Sequence, residues 1–120
     1  MSDKLAKFRE CRERMNRKIL ESDNLDIKRF FALDGSVYRE GALDARTKEL
    51  LGLATSAVLR CNDCILYHLI RCAELGATDG ELHEALSVAL VVGGSITIPH
   101  LRYAFEIMEK IRSEEQKNGS

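Results

Sequence analysis

The segment Asp44–Gly76, DARTKELLGLATSAVLRCNDCILYHLIRCAELG, decides how this chain is read. Asp44 has the short acceptor side chain that suits a helix N-cap. Behind it Leu50, Leu51, Leu53, Ala54, Ala57 and Val58 form the apolar side of a helix from Ala45 to about Leu59. A brief break at Arg60–Asn62 precedes a second helix, which stops at Gly76. Two helices with so short a connection fold back on each other, which predicts an antiparallel helical hairpin.

The flanks continue the helical period. Leu5, Phe8, Cys11, Met15 and Ile19 recur at three- and four-residue steps, which predicts an amphipathic helix over about 2–20 with Cys11 in its apolar stripe. Leu25, Ile27, Phe30, Phe31 and Leu33 suggest a short helix, closed by a turn at Asp34-Gly35-Ser36. Thr78-Asp79-Gly80-Glu81 has capping-box spacing and opens a further helix. That helix, from Leu82 through Val92, is apolar nearly all round, so a second copy of the chain is expected to cover part of it. Gly93-Gly94 ends it, and a last helix is expected from about Thr97 to Glu115, before a polar tail at 116–120. No strand-like alternation of useful length occurs. The expectation is an all-α fold: one compact multi-helix domain over 1–120, built on the central hairpin.

Composition limits the partners. The 120 residues are 45% hydrophobic and 31% charged with a net charge of −1, the balance of a packed globular domain. Arg9, Arg12, Arg14, Arg17 and Lys18 are interleaved with Glu10, Glu13 and Glu21, a solvated helix face rather than a nucleic-acid stripe. The most apolar stretch, Ala85–Pro99, is broken by Ser87, Gly93, Gly94, Ser95 and Thr97, short of the roughly 20 apolar residues a membrane span needs. Met1–Lys4 is not followed by an apolar run. A cytoplasmic protein without membrane or nucleic-acid partners is expected. Its four cysteines then read as thiols, ligands or redox groups rather than a disulfide framework.

The chemistry lies in the second helix of the hairpin. At about 100° per residue, Cys61, Cys64 and His68 share a face about 60° wide. Both cysteines fall at the helix start, where the macrodipole favours a thiolate. C-x-x-C spacing lets one sulfur attack while the other resolves the product as a disulfide. Glu49 lies about 15 Å before the turn and His68 about 13.5 Å after it, so the hairpin sets them side by side. His68 is one helical turn from Cys64. The arrangement Glu49, His68, Cys64 is a carboxylate orienting an imidazole that takes a proton from a thiol. Zinc is disfavoured, because Cys61 and Cys72 would stand about 16 Å apart on a continuous helix. Cys72, like Cys11, reads as a core residue, and His83 as solvent-facing. His100, beside Pro99, could line the same pocket from a neighbouring subunit.

Glu49, eleven intervening residues, Cys61-Asn62-Asp63-Cys64, and His68 after three more resemble the motif of the alkylhydroperoxidase D-like proteins. These belong to the carboxymuconolactone decarboxylase family. The resemblance runs from about Asp44 to Met108 and takes in Leu75-Gly76-Ala77-Thr78 and Gly93-Gly94. It implies an all-helical fold, homotrimers or homohexamers, and an antioxidant, peroxiredoxin-type reduction of hydroperoxides. No metal or organic cofactor is implied; an external dithiol restores the pair. By position, Cys64 is the peroxide-attacking thiol, Cys61 the resolving one, and His68 with Glu49 the proton relay. Some members carry a second histidine just before the second cysteine. Asp63 stands there in this chain, and its charge opposes ionisation of the neighbouring thiol. The decarboxylases that name the family lack the cysteine pair. Two other readings remain: a non-enzymatic redox-sensing oligomer, and a lyase or hydrolase using Glu49 and His68 alone.

Overall fold

The computed structural model describes the backbone of residues 3–119 and the side chains of residues 4–118. Its elements are α1 (Asp3–Leu20), α2 (Leu25–Val37), α3 (Ala45–Val58), α4 (Asn62–Glu74), α5 (Asp79–Gly93), a 3-10 turn (Ser95–Thr97) and α6 (Ile98–Gly119). Every described element is helical, as expected of an all-α chain. The chain divides into two compact units, one ending at Arg39 and the other beginning at Glu40.

In the first unit α1 contacts α2. Asn24 caps α2, its Oδ1 accepting from the Ile27 N–H at 2.9 Å. The expected turn at Asp34-Gly35-Ser36 does not form, and α2 runs through to Val37. One glycine in a helix interior costs only about 1 kcal/mol, and the Ser36 hydroxyl donates to the Leu33 carbonyl at 2.9 Å instead of drawing the backbone into a turn. Cys11 is exposed rather than in a core. On the same helix Met15 and Ile19 are exposed as well, while Leu5 of the stripe is buried.

The second unit is the expected hairpin with two helices added. α3 packs against both α4 and α5, α4 packs on α6, and the 3-10 turn joins α5 to α6. The core is aliphatic, with Leu53, Ala57, Ile65, Leu69, Leu86, Ala89 and Ile107 almost wholly buried. The helix starts are capped as their sequence suggests. Asp44 accepts from Thr47 at 2.7 Å, and these bonds to Thr47 hold its carboxyl below the ordinary value. Thr78 and Glu81 form a reciprocal capping box. α6 begins at Ile98, with Pro99 in its first turn, where the missing N–H is harmless. It runs through the expected polar tail to Gly119, because Gln116 and Lys117 are good helix formers.

The hairpin turn is a Schellman motif closed without glycine. Arg60 sits at φ +60, its N–H donates to Ala57 at 3.0 Å, and the Cys61 N–H donates to Ser56 at 3.0 Å. The same motif ends α4, with Gly76 at φ +83 and Ala77 donating to Cys72 at 2.9 Å.

Candidate functional site

Cys61 belongs to two helices at once. Its N–H closes the motif that ends α3, and its side chain caps α4, the Cys64 N–H donating to Cys61 Sγ at 3.2 Å. The residue is therefore the N-cap, with extended backbone (φ −101, ψ 96), rather than a member of the first helical turn. Cys61 and Cys64 are joined as a disulfide across a Cα separation of 5.3 Å. Cys64 is exposed and Cys61 half-buried. Once the bond is reduced, Cys61 Sγ stands at the N-terminus of α4, where the macrodipole and the first backbone N–H groups favour an anion.

One turn beyond Cys64, His68 points into the hairpin. Its Nδ1 lies 2.7 Å from Glu49 Oε1, with the histidine 8% and the glutamate 2% exposed. Against an ionised carboxylate Nδ1 carries the proton, which leaves the Nε2 lone pair to act as a base. The tyrosine ring of Tyr67 meets the imidazole edge-on at 5.2 Å between centroids. Glu49 and His68 thus meet across the turn, and Cys64 is four residues from His68 on α4.

Three further residues touch this pair or the dithiol segment. Gly52 lies one turn after Glu49, and a Cβ there would stand 2.7–2.9 Å from three atoms of the His68 ring. The imidazole lies flat on the α3 backbone, and only glycine leaves room for it. The signal in the sequence is a glycine inside a helix, where it would otherwise be unfavourable. Arg71, one turn after His68, places Nε 3.7 Å from Glu49 Oε2 while its Nη1 donates to Glu74 Oε1 at 2.6 Å. The bond to Glu74 first, and the charge of Glu49 with it, hold the guanidinium above its ordinary pKa. Asn62, between the cysteines, has Oδ1 2.7 Å from His100 Nδ1. His100 thus reaches the dithiol segment from α6 of the same chain.

Cys72 is fully buried, and burial, reinforced by the nearby Glu49 charge, pushes its thiol up to about 12. It is an inert core thiol. His83 is exposed and stacks on Phe105 at 4.9 Å. Among the described residues no three metal-ligating side chains cluster as a metal site.

The sequence of residues 27–110 matches the model of the carboxymuconolactone decarboxylase family. The chain belongs to that family. The matched region reaches further toward the N-terminus than the motif alone and takes in most of α2. A Thermotoga maritima member, for which a part in the antioxidative response has been suggested, superimposes with a TM-score of 0.88 at 57% identity, covering 94% of this chain and 95% of that one. A Legionella pneumophila member, solved in its apo form, gives a TM-score of 0.82 at 29% identity over 91% of this chain and 97% of its own. An uncharacterised Paracoccus denitrificans protein of the cox locus is 34% identical over 82 residues, 68% of this chain and 74% of that protein. No helix of the described residues is long and apolar enough to cross a membrane.

Proposed function

We propose that this family member is a thiol-dependent peroxidase and disulfide oxidoreductase working through Cys61 and Cys64. The observation that carries this reading is the buried Glu49–His68 hydrogen bond one helical turn from a bonded cysteine pair. His68 Nε2 accepts the Cys64 proton. The Cys64 thiolate attacks one peroxide oxygen, the O–O bond breaks, and the departing alkoxide takes the proton from His68 and leaves as an alcohol. Cys64 is then a sulfenic acid. The Cys61 thiol attacks that sulfur, its proton leaves with the displaced hydroxide as water, and the disulfide forms.

The geometry also supports a direction for the return. Cys64 is the exposed sulfur, so an external dithiol attacks there, and Cys61 departs as the thiolate its capping position favours. A second thiol of the donor then releases Cys64, leaving both cysteines reduced and the donor oxidised.

The test is peroxide-dependent loss of the Cys61 and Cys64 thiols, followed by turnover with a small dithiol. Cys64→Ser should abolish peroxide consumption, and Cys61→Ser should leave a sulfenic acid that a dimedone probe traps. Equal peroxide consumption by wild type and Cys64→Ser rejects the mechanism. Activity toward a small acid that survives loss of both cysteines would support a lyase using Glu49 and His68 instead.

The same proposal includes self-association. Val88, Val91 and Val92 on α5 are 59%, 84% and 70% exposed, and Ile96 of the following turn is 57% exposed. A trimer or hexamer burying this face is the expected species in light scattering, and a monomer at micromolar concentration would reject it.

A further inference from the structure

Glu49 is a nearly inaccessible carboxylate with two partners on α4, and only His68 belongs to the motif. We propose that Arg71 is a positioning residue that sets the protonation state of the Glu49–His68 pair. This rests on the pair being the base of the proposed reaction.

The argument is one of charge. With one proton shared between Glu49 and His68 Nδ1 and a second on Nε2 the pair is neutral overall, and after losing the Nε2 proton it carries a net charge of −1. That holds whichever atom carries the shared proton. Burial opposes the anionic state. Arg71, 3.7 Å from Glu49 Oε2, favours it. The guanidinium therefore draws the pair's upper titration downward, toward the neutral pH at which His68 Nε2 must accept a proton. Arg71 is suited to this because it is itself 37% exposed and keeps its charge in solvent while reaching the buried oxygen. Glu74, bonded to Arg71 at 2.6 Å, moderates the effect by offsetting part of its charge.

Among the described residues, other titratable groups near the pair include Tyr67 and Cys72 on α4 and, from α5, Glu81, which is 3.6 Å from Arg46 of α3. From α6, His100 and Tyr103 face Asn62 and Asp63 at the start of α4. None of these supplies a positive charge at Glu49 Oε2 in the way Arg71 does.

The experiment is an NMR titration of the His68 ring between pH 5 and 9 on the disulfide form without peroxide. His68→Gln, His83→Gln and His100→Gln assign the signals. Arg71→Gln should raise the His68 midpoint by about one pH unit, and Arg71→Lys, which keeps the charge, should restore most of it. Glu74→Gln should move the midpoint the opposite way, downward, because it leaves Arg71 uncompensated. That variant carries the test if Arg71→Gln does not fold. An Arg71→Gln midpoint that is unmoved or lowered overturns the proposal, as does Arg71→Lys behaving like Arg71→Gln. Because the titration uses no peroxide, failure of the peroxidase reading leaves its outcome readable.

Discussion

Gly52→Ala is the most discriminating perturbation of the site, because two ordinary expectations for it have opposite signs. Replacing glycine by alanine in a helix interior stabilises by about 1 kcal/mol. At Gly52, however, the new methyl group would lie 2.7 Å from His68 Cε1 and 2.9 Å from both ring nitrogens. The ring is rigid and is held by its bond to Glu49 at 2.7 Å, so it cannot swing away freely. Overpacking of this kind costs about 1–3 kcal/mol, and pushing the imidazole off the carboxylate costs about 1.5–3 kcal/mol for a charge-assisted bond. Set against the propensity gain, either response leaves a net destabilisation of up to about 2 kcal/mol. Urea denaturation of the disulfide form measures it. Repeating the substitution in a His68→Ala background removes the ring, and there Gly52→Ala should become neutral or stabilising. A Gly52→Ala protein at least as stable as wild type, or a loss of the same size in both backgrounds, refutes the reasoning.

Three further outcomes follow from the hairpin turn and the two free thiols. Arg60→Gly should stabilise the chain by about 1 kcal/mol in thermal or chemical denaturation, since Arg60 holds φ +60 with a side chain that opposes it. In the native protein iodoacetamide should alkylate exposed Cys11 and spare Cys72. Cys72 also shapes stability at alkaline pH: its folded pKa of about 12 lies above the ordinary thiol value of 9.0, so its contribution is complete below about 9 and is lost as pH rises toward 12. Cys72→Ala should flatten that part of the pH–stability curve measured by denaturation; an unchanged slope counts against the assignment.

Much of the candidate site is visible in the sequence because the hairpin is short and regular. Once α3 and α4 are fixed by Asp44, the break near Arg60 and Gly76, helix rise alone pairs Glu49 with His68, and they are 2.7 Å apart. Their catalytic roles remain part of the proposal. Less visible are residues whose importance lies in what they do not occupy or in a partner distant in sequence. Gly52 matters through a ring 16 positions later, and His100 reaches Asn62 across 38 positions. Arg71 reads as an ordinary surface arginine until Glu49 is placed beneath it. Cys11 and Cys72 sit on similar apolar stripes, yet one is exposed and the other buried, because exposure depends on how many helices cover the stripe.

By itself, the sequence determined the helical class, the capped starts at Asp44 and Thr78, the stop at Gly76 and the adjacency of Glu49 and His68. These follow from interactions within a few residues or across one tight turn, where backbone geometry leaves few alternatives. Tertiary structure alone decided that Arg60 would close a turn in a conformation glycine usually serves, with Cys61 held by both helices. It also decided that α3 would need Gly52 beneath an imidazole and that Arg71 would reach a buried carboxylate. Those outcomes depend on how closely two helices approach and which side chains fill the space between them. The spacing of residues along one chain does not contain that information.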